Sequence, residues 1–412
     1  MIPVEQALRI VLDRAKPLST EEIDFGQATG RLLREDVVSD VDMPPFPRSA
    51  VDGYAVRAKD VRQIPARLDV VGTIPAGTFP TFRVEAGQAA SIMTGAPVPE
   101  GADAVQMVEH CRFDRDRVEV LIAVDEGQNV APRGSEVRLG DVVLKEGTRL
   151  DPAAVAVAAT VGKTTLVVGR KPRVAVAATG NELVHPSHKP APGQIRNSNG
   201  FSLLAQCAAA GIEASYLGVA LDTESSLDEV ITKGLDADVL MLSGGVSMGR
   251  FDLVEDVLAR HRVRIHVDAV ALKPGKPLVF GTTDEGRLVF GLPGNPVSTM
   301  VTFELFVRPA LARLEGAANP VRPLFRAKLL TELVNRGNRR AYLPGWISVD
   351  DEGQSIARPI PTRGSGDIVA FSKSNALLIV PEDRERLEAG EPVRYYALDS
   401  SLLKEDRWRN AG

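Results

Sequence analysis

The sequence lacks the features that announce several common protein classes. It has only two cysteines, Cys111 and Cys207, far apart and outside any C-x-x-C. That excludes a disulfide framework and a cysteine zinc site within one chain, and it suits a reducing cytoplasm. No apolar run approaches the roughly 18 residues of a membrane-spanning helix, so no membrane partner is expected. Met1 runs directly into Ile-Pro-Val-Glu-Gln, without the basic stretch and apolar run of a secretion signal. A cytoplasmic location is therefore expected. A basic excess is also missing: the formal net charge is −5, which argues against a nucleic-acid partner. There is no G-x-x-x-x-G-K-[ST] phosphate loop, no G-x-G-x-x-G dinucleotide fingerprint, no internal repeat and no low-complexity tract.

What is present is an ordinary soluble composition, 44% hydrophobic and 25% charged, over 412 residues. That length exceeds one core and predicts about three domains. Apolar residues at Val4, Ala7, Leu8, Val11 and Leu12 have helical spacing. Met43-Pro-Pro-Phe-Pro-Arg-Ser49 cannot be helix interior. Short strands follow at Leu68–Val71, Ala89–Met93, Ala104–Val108 and Val118–Ile122, separated by Pro- and Gly-containing turns. They predict an all-β module inserted between less β-like segments. Asp151 and Pro152 look like the N-cap and first residue of a helix reaching Val161.

From Arg173 the pattern alternates. Strands at Arg173–Ala178, Ala214–Val219, Val239–Leu242 and Leu288–Phe290 are interleaved with helices at Asn197–Gly211, from Ser225, and from Ser298 to Ala312. This predicts a central three-layer α/β domain with a mostly parallel sheet. After Pro320-Val-Arg-Pro323 the chain is β-rich again, at Ala327–Leu330, Ala341–Leu343 and Ala376–Val380, which predicts a small C-terminal β domain. The fold class is thus multidomain, α/β plus all-β.

The stretch Val239–Leu242 ends in Ser243-Gly244-Gly245-Val246-Ser247-Met248-Gly249, and a helical pattern follows Asp252. Strand, small-residue turn and helix make an anion pocket: glycines let backbone N–H groups approach, and the helix end adds partial positive charge. The same residues also fit the G-x-S-x-G nucleophile elbow, which would make Ser247 a serine-hydrolase nucleophile. A triad then needs a later acid and His, but no His follows His266. Thr179-Gly-Asn-Glu182 ends the first α/β strand, placing Glu182 at the same sheet edge. Lys273-Pro274-Gly275-Lys276-Pro277 reads as a rigid cationic loop suited to an oxyanion, with a plain surface turn as the alternative. Gly291-Leu-Pro293-Gly294-Asn-Pro296-Val-Ser298 opens another helix. His185-Pro-Ser-His188 lies in a Pro-rich loop and makes a poor metal site.

Taken in order, Ser49–Val56, Thr94-Gly-Ala96, Gly101–Val105, Thr179–Leu183, Ser243–Gly249, Lys273–Pro277 and Gly291–Ser298 resemble the molybdopterin molybdenumtransferase family, which includes the gephyrin E-domain. The resemblance covers nearly the whole chain. It implies insertion of molybdenum from molybdate into an adenylylated molybdopterin, with release of AMP. It also implies Mg²⁺, a homodimer, and an adenylyltransferase as partner protein. By position it implies catalytic roles for Asp52, Glu182, Asp252, Lys273 and Lys276. Substrate contacts are implied at Thr94, Asp222, Ser243, Gly244, Gly245, Ser247, Pro293, Gly294 and Pro296, and metal ligation by Asp52, Glu182 and Asp252. The expected division is 1–45 with 135–170 as a mixed linker or dimerisation domain, 46–134 as the inserted β module, 171–318 as the α/β molybdopterin-binding domain, and 319–412 as the C-terminal β domain. Two departures stand out. Arg133-Gly-Ser-Glu136 replaces a Gly-Glu-Asp, and Met248-Gly-Arg250 has a cation where the family often has an acid. A non-catalytic scaffold that binds partners on the same fold is the alternative.

Overall fold

A computed structural model describes residues 1–245 and 253–398. The chain forms two compact units. One comprises Met1–Glu21 and the chain from Val168 onward; the other is Glu22–Val167.

The first unit is built on a six-stranded sheet. In spatial order its strands are Ala214–Ala220, Val174–Thr179, Val239–Ser243, Leu288–Leu292, Pro277–Thr282 and Arg264–Ala269. The first four run parallel, and the last two are antiparallel additions. Val174–Thr179 and Val239–Ser243 are buried at every residue, as strands covered on both faces must be. Val174 and Val176 pack on the face of helices Val4–Arg14, Asn199–Ala209 and Pro296–Thr302. Ala175 and Ala177 pack on the opposite face, with helices Glu224–Gly234 and Leu253–Arg260. Strand alternation thereby makes the three layers.

Three details differ from the sequence reading. The last helix begins at Pro296 rather than Ser298, because proline suits the first helical position, where no N–H is needed. It also does not stay a regular α-helix. A widened π-type segment, Phe303–Val307, precedes the final piece Arg308–Leu314. Pro309 cannot donate to the Leu305 carbonyl, and the wider turn absorbs the missing bond. The strand Arg264–Ala269 was not foreseen; it is an edge strand with charged Arg264 and Asp268 exposed.

Towards its C-terminal end the same unit carries a closed ring of five strands. Arg340–Val349 pairs with Ser355–Pro359, then come Phe325–Leu329, Pro392–Ala397 and Ala376–Val380, which returns to Arg340–Val349. Leu329, Ile347, Leu378 and Val393 fill it. The short segment Leu272–Lys273 adds in parallel to Arg340–Ala341, so the lysine loop leans on this barrel.

The second unit holds its own six-stranded sheet, ordered Ala104–Met107, Gly53–Val56, Gln88–Ile92, Ala66–Ile74, Arg117–Val120 and Cys111–Asp114. Apolar clusters containing Leu68 and Val118, and Ile74 and Ile92, pack around this sheet. Asp151 caps the helix Pro152–Thr160, its carboxylate accepting from the Ala154 N–H at 2.7 Å. Among the described residues, no helix is long and apolar enough to cross a membrane.

Candidate active site

In the first unit the chain leaves Val174–Thr179 for the neighbouring strand on one side, then crosses to Val239–Ser243 on the other. Open α/β sheets bind ligands at the carboxyl ends of strands beside such a reversal. A cleft of about 690 Å³ lies there.

Four loops shape it. After Thr179, Glu182 is exposed on the cleft wall, and the next loop brings Asp222 to the same wall. The two loop tips are tied reciprocally: Asn181 N–H donates to Asp222 Oδ2 at 3.2 Å, and Asp222 N–H donates to Asn181 Oδ1 at 3.1 Å. The third loop is the glycine turn. Ser243 is buried, while Gly244 and Gly245 have φ of 97° and 64°. A Cβ on Gly245 would meet Thr179 Oγ1 at 2.7 Å, so only glycine fits both the space and the left-handed backbone. The fourth loop brings Pro293, Gly294 and Pro296. A Cβ built on Gly294 would lie 3.8 Å from the Gly244 Cα, so the two small-residue turns face each other closely. Pro293 is buried, with its carbonyl accepting from Thr299 Oγ1 at 2.5 Å.

A second cavity of about 650 Å³ shares Glu182, Pro293 and Gly294 with the first and is lined by Lys273 and Lys276. Lys276 is exposed. Lys273 is half-buried, and its Nζ donates to the Arg336 carbonyl at 2.9 Å. Arg339 and Ser365 line this cavity too, although no local pattern singles them out. Arg339 donates to the Leu272 carbonyl at 2.9 Å, which fastens it to the lysine loop. Asn199, whose amide bridges Ser243 Oγ and the Gly294 carbonyl, was likewise missed. All three reach the site through packing between segments far apart in the chain, which local pattern does not reveal.

Asp52 and Thr94 pair in the other unit. Asp52 Oδ1 accepts from the Thr94 N–H at 2.7 Å and from its hydroxyl at 2.9 Å. The Thr94 N–H, then its hydroxyl, hold the Asp52 carboxyl below the usual carboxylate range. Ser247 and Asp252 lie outside the described residues. Of the expected metal ligands, Asp52 and Glu182 belong to different units. No cluster of three His, Cys, Asp or Glu suited to a metal occurs among the described residues. His185 instead pairs through Nδ1 with Ser187 Oγ at 2.7 Å. His266 offers the serine-hydrolase reading nothing, because it sits on the sheet's edge strand and bonds Thr282 Oγ1 at 2.8 Å. At the departure near residue 136, Glu136 accepts from Arg48 at 2.7 Å.

Three family profiles match the chain in succession. They are the MoeA N-terminal region (domains I and II) over residues 2–162, a probable molybdopterin binding domain over 175–313, and the MoeA C-terminal region (domain IV) over 326–398. The chain belongs to the MoeA family. Relatives of that family include a molybdopterin molybdenumtransferase of Nostoc sp., 36% identical over 91% of this chain and 88% of its own. Another, from Haemophilus influenzae, is 34% identical over 95% and 98% of the two chains. A crystal structure of the molybdopterin biosynthesis MoeA protein from Pyrococcus horikoshii OT3 superposes with a TM-score of 0.84 at 34% identity, covering 96% of this chain and all of that one (100%). The MoeA match accounts for the mixed, mostly parallel sheet, the separate β unit and the C-terminal barrel together.

Proposed function

We propose that the chain is an enzyme that transfers molybdenum from molybdate to the dithiolene of an adenylylated molybdopterin and releases AMP. One observation carries this reading. The cleft at the strand reversal is continuous with a cavity lined by Lys273, Lys276 and Arg339. A pyrophosphate-linked pterin and molybdate are both anionic. The glycine turns at Gly244 and Gly294 bring backbone close to a phosphate, and the lysine pair supplies charge for an oxyanion. Lys273 is held by Arg336, whereas Lys276 is free to meet the ligand.

Magnesium fits the donor chemistry of the wall. Mg²⁺ uses one or two carboxylates and leaves its other positions to water and substrate phosphates. Glu182 and Asp222 are exposed carboxylates of that kind, with Asp252 and Asp52 as the remaining family positions. When bound, the cation would neutralise charge on the phosphoanhydride. A homodimer is the expected assembly, as the commonest closed symmetry, with an adenylyltransferase as the donor of substrate. Light scattering should give twice the monomer mass at micromolar concentration, and a stable, fully active monomer would refute the dimer. The activity is tested by incubating the protein with adenylylated molybdopterin, Mg²⁺ and molybdate. AMP should appear only when all are present; no AMP from the complete mixture would refute the reading.

A further inference from the structure

We infer that Asn199 reads the nucleotide half of the substrate through its side-chain oxygen. This deepens, and rests on, the transferase reading. Asn199 opens the helix Asn199–Ala209, and its Nδ2 donates to Ser243 Oγ at 2.9 Å and to the Gly294 carbonyl at 2.7 Å. A carbonyl only accepts, so the Gly294 contact fixes which end of the amide carries hydrogens. Both hydrogens are then used in holding the two facing turns together. Oδ1 is left buried and without a partner among the described residues. Thr179, 3% exposed, leaves its Oγ1 in the same condition beside Gly245.

Buried polar atoms without partners are rare in native folds and call for a missing one. These two flank the Ser243-Gly244 step, at the sheet reversal where α/β folds seat nucleotides. The charge on the ligand decides what Oδ1 can face. Phosphate oxygens and dithiolene sulfurs are acceptors, as Oδ1 is, so neither can satisfy it. Beyond a phosphate cradled by the glycine turns, the next group of the adenylate is the ribose, then the base. The donors left in the substrate are the pterin N–H groups at one end and the ribose hydroxyls and adenine amino group at the other; Asn199 Oδ1 is assigned to the nucleotide end, and nucleotide titrations test that assignment.

The test is calorimetric titration of the full-length protein with AMP, 2′-deoxyAMP, 3′-deoxyAMP and inosine monophosphate. The parent protein should bind one analogue about tenfold more weakly than AMP, which identifies the donor. In Asn199→Ala that preference should vanish, with AMP bound no better than the analogue. Asn199→Asp keeps an oxygen at the position and loses both hydrogens. It should retain the preference while binding every nucleotide more weakly, and it serves if the alanine variant does not fold. A residue that only braces the two turns would weaken all four nucleotides alike and leave the preference intact in Asn199→Ala. That result overturns the inference, as does a parent protein indifferent among the four. No AMP binding by the parent would instead remove the nucleotide site, and the transferase reading with it.

Discussion

Lys276 and Glu182 look into the same connected space with opposite charge, so their deletions should separate two kinds of ligand. Lys276→Ala removes a charge-assisted contact to an anion, worth about 1.5–3 kcal/mol, or roughly ten- to a hundredfold in molybdate affinity. Glu182→Ala should leave molybdate binding nearly intact and raise the Mg²⁺ concentration needed for AMP release. Titrations with molybdate, and activity measured against Mg²⁺, check this; an unchanged Mg²⁺ requirement in Glu182→Ala would reject the assignment. Asp52 offers a subtler probe. Thr94 supplies both bonds that depress its titration. Thr94→Val keeps the backbone donor and loses the hydroxyl, so Asp52 should titrate at higher pH than in the parent, though still below an ordinary carboxylate. NMR titration of the Asp52 carboxyl carbon reads the shift directly, and an unmoved midpoint would contradict the hydrogen-bond account.

The central strands show what a single sequence discloses and what it hides. Val174–Thr179 and Val239–Ser243 were visible because their apolar runs end in glycine-rich turns, and the same turns pointed to Ser243–Gly245. Arg264–Ala269 was hidden, since an edge strand with exposed charges lacks the buried-run pattern. Arg339 and Ser365 were hidden for another reason: nothing near them in the chain reports that the barrel folds them back against Lys273. The strand Val239–Ser243 also depends on an ion pair at its base. Asp238 accepts from Arg170 at 2.9 and 3.1 Å and from the Arg173 N–H at 2.7 Å. Burial alone would raise the Asp238 titration, but Arg170 and the Arg173 N–H outweigh it and hold it below the usual range. A carboxyl depressed by folding stabilises above its unfolded value, near 4, and loses that contribution as pH falls through its folded value. Arg170→Leu should therefore cost on the order of 2–3 kcal/mol at pH 7 and less at an acid pH below the depressed folded value of Asp238, where its carboxyl has taken up a proton. Urea unfolding at the two pH values measures the difference; an equal penalty at both would mean the arginine acts only by packing.

Two compact units with separate apolar cores should not melt as one. Leu68, 2% exposed, belongs to the second unit's core cluster. Leu68→Ala should cost about 2–5 kcal/mol there. Calorimetry should show one transition moved down and the other in place; a single transition that shifts as a whole would show the units to be cooperative.

The pairing of Leu272–Lys273 with Arg340–Ala341 has a consequence for how the enzyme is made. A ribosome delivers the glycine turns and the lysine loop well before the strand on which that loop rests. Until residues 336 to 341 have emerged, Lys273 lacks first the Arg336 carbonyl and then the neighbouring strand that hold it. A chain broken off early could complete its parallel sheet and still lack an ordered lysine loop. Prematurely terminated chains would thus carry the glycine turns without the brace that holds Lys273.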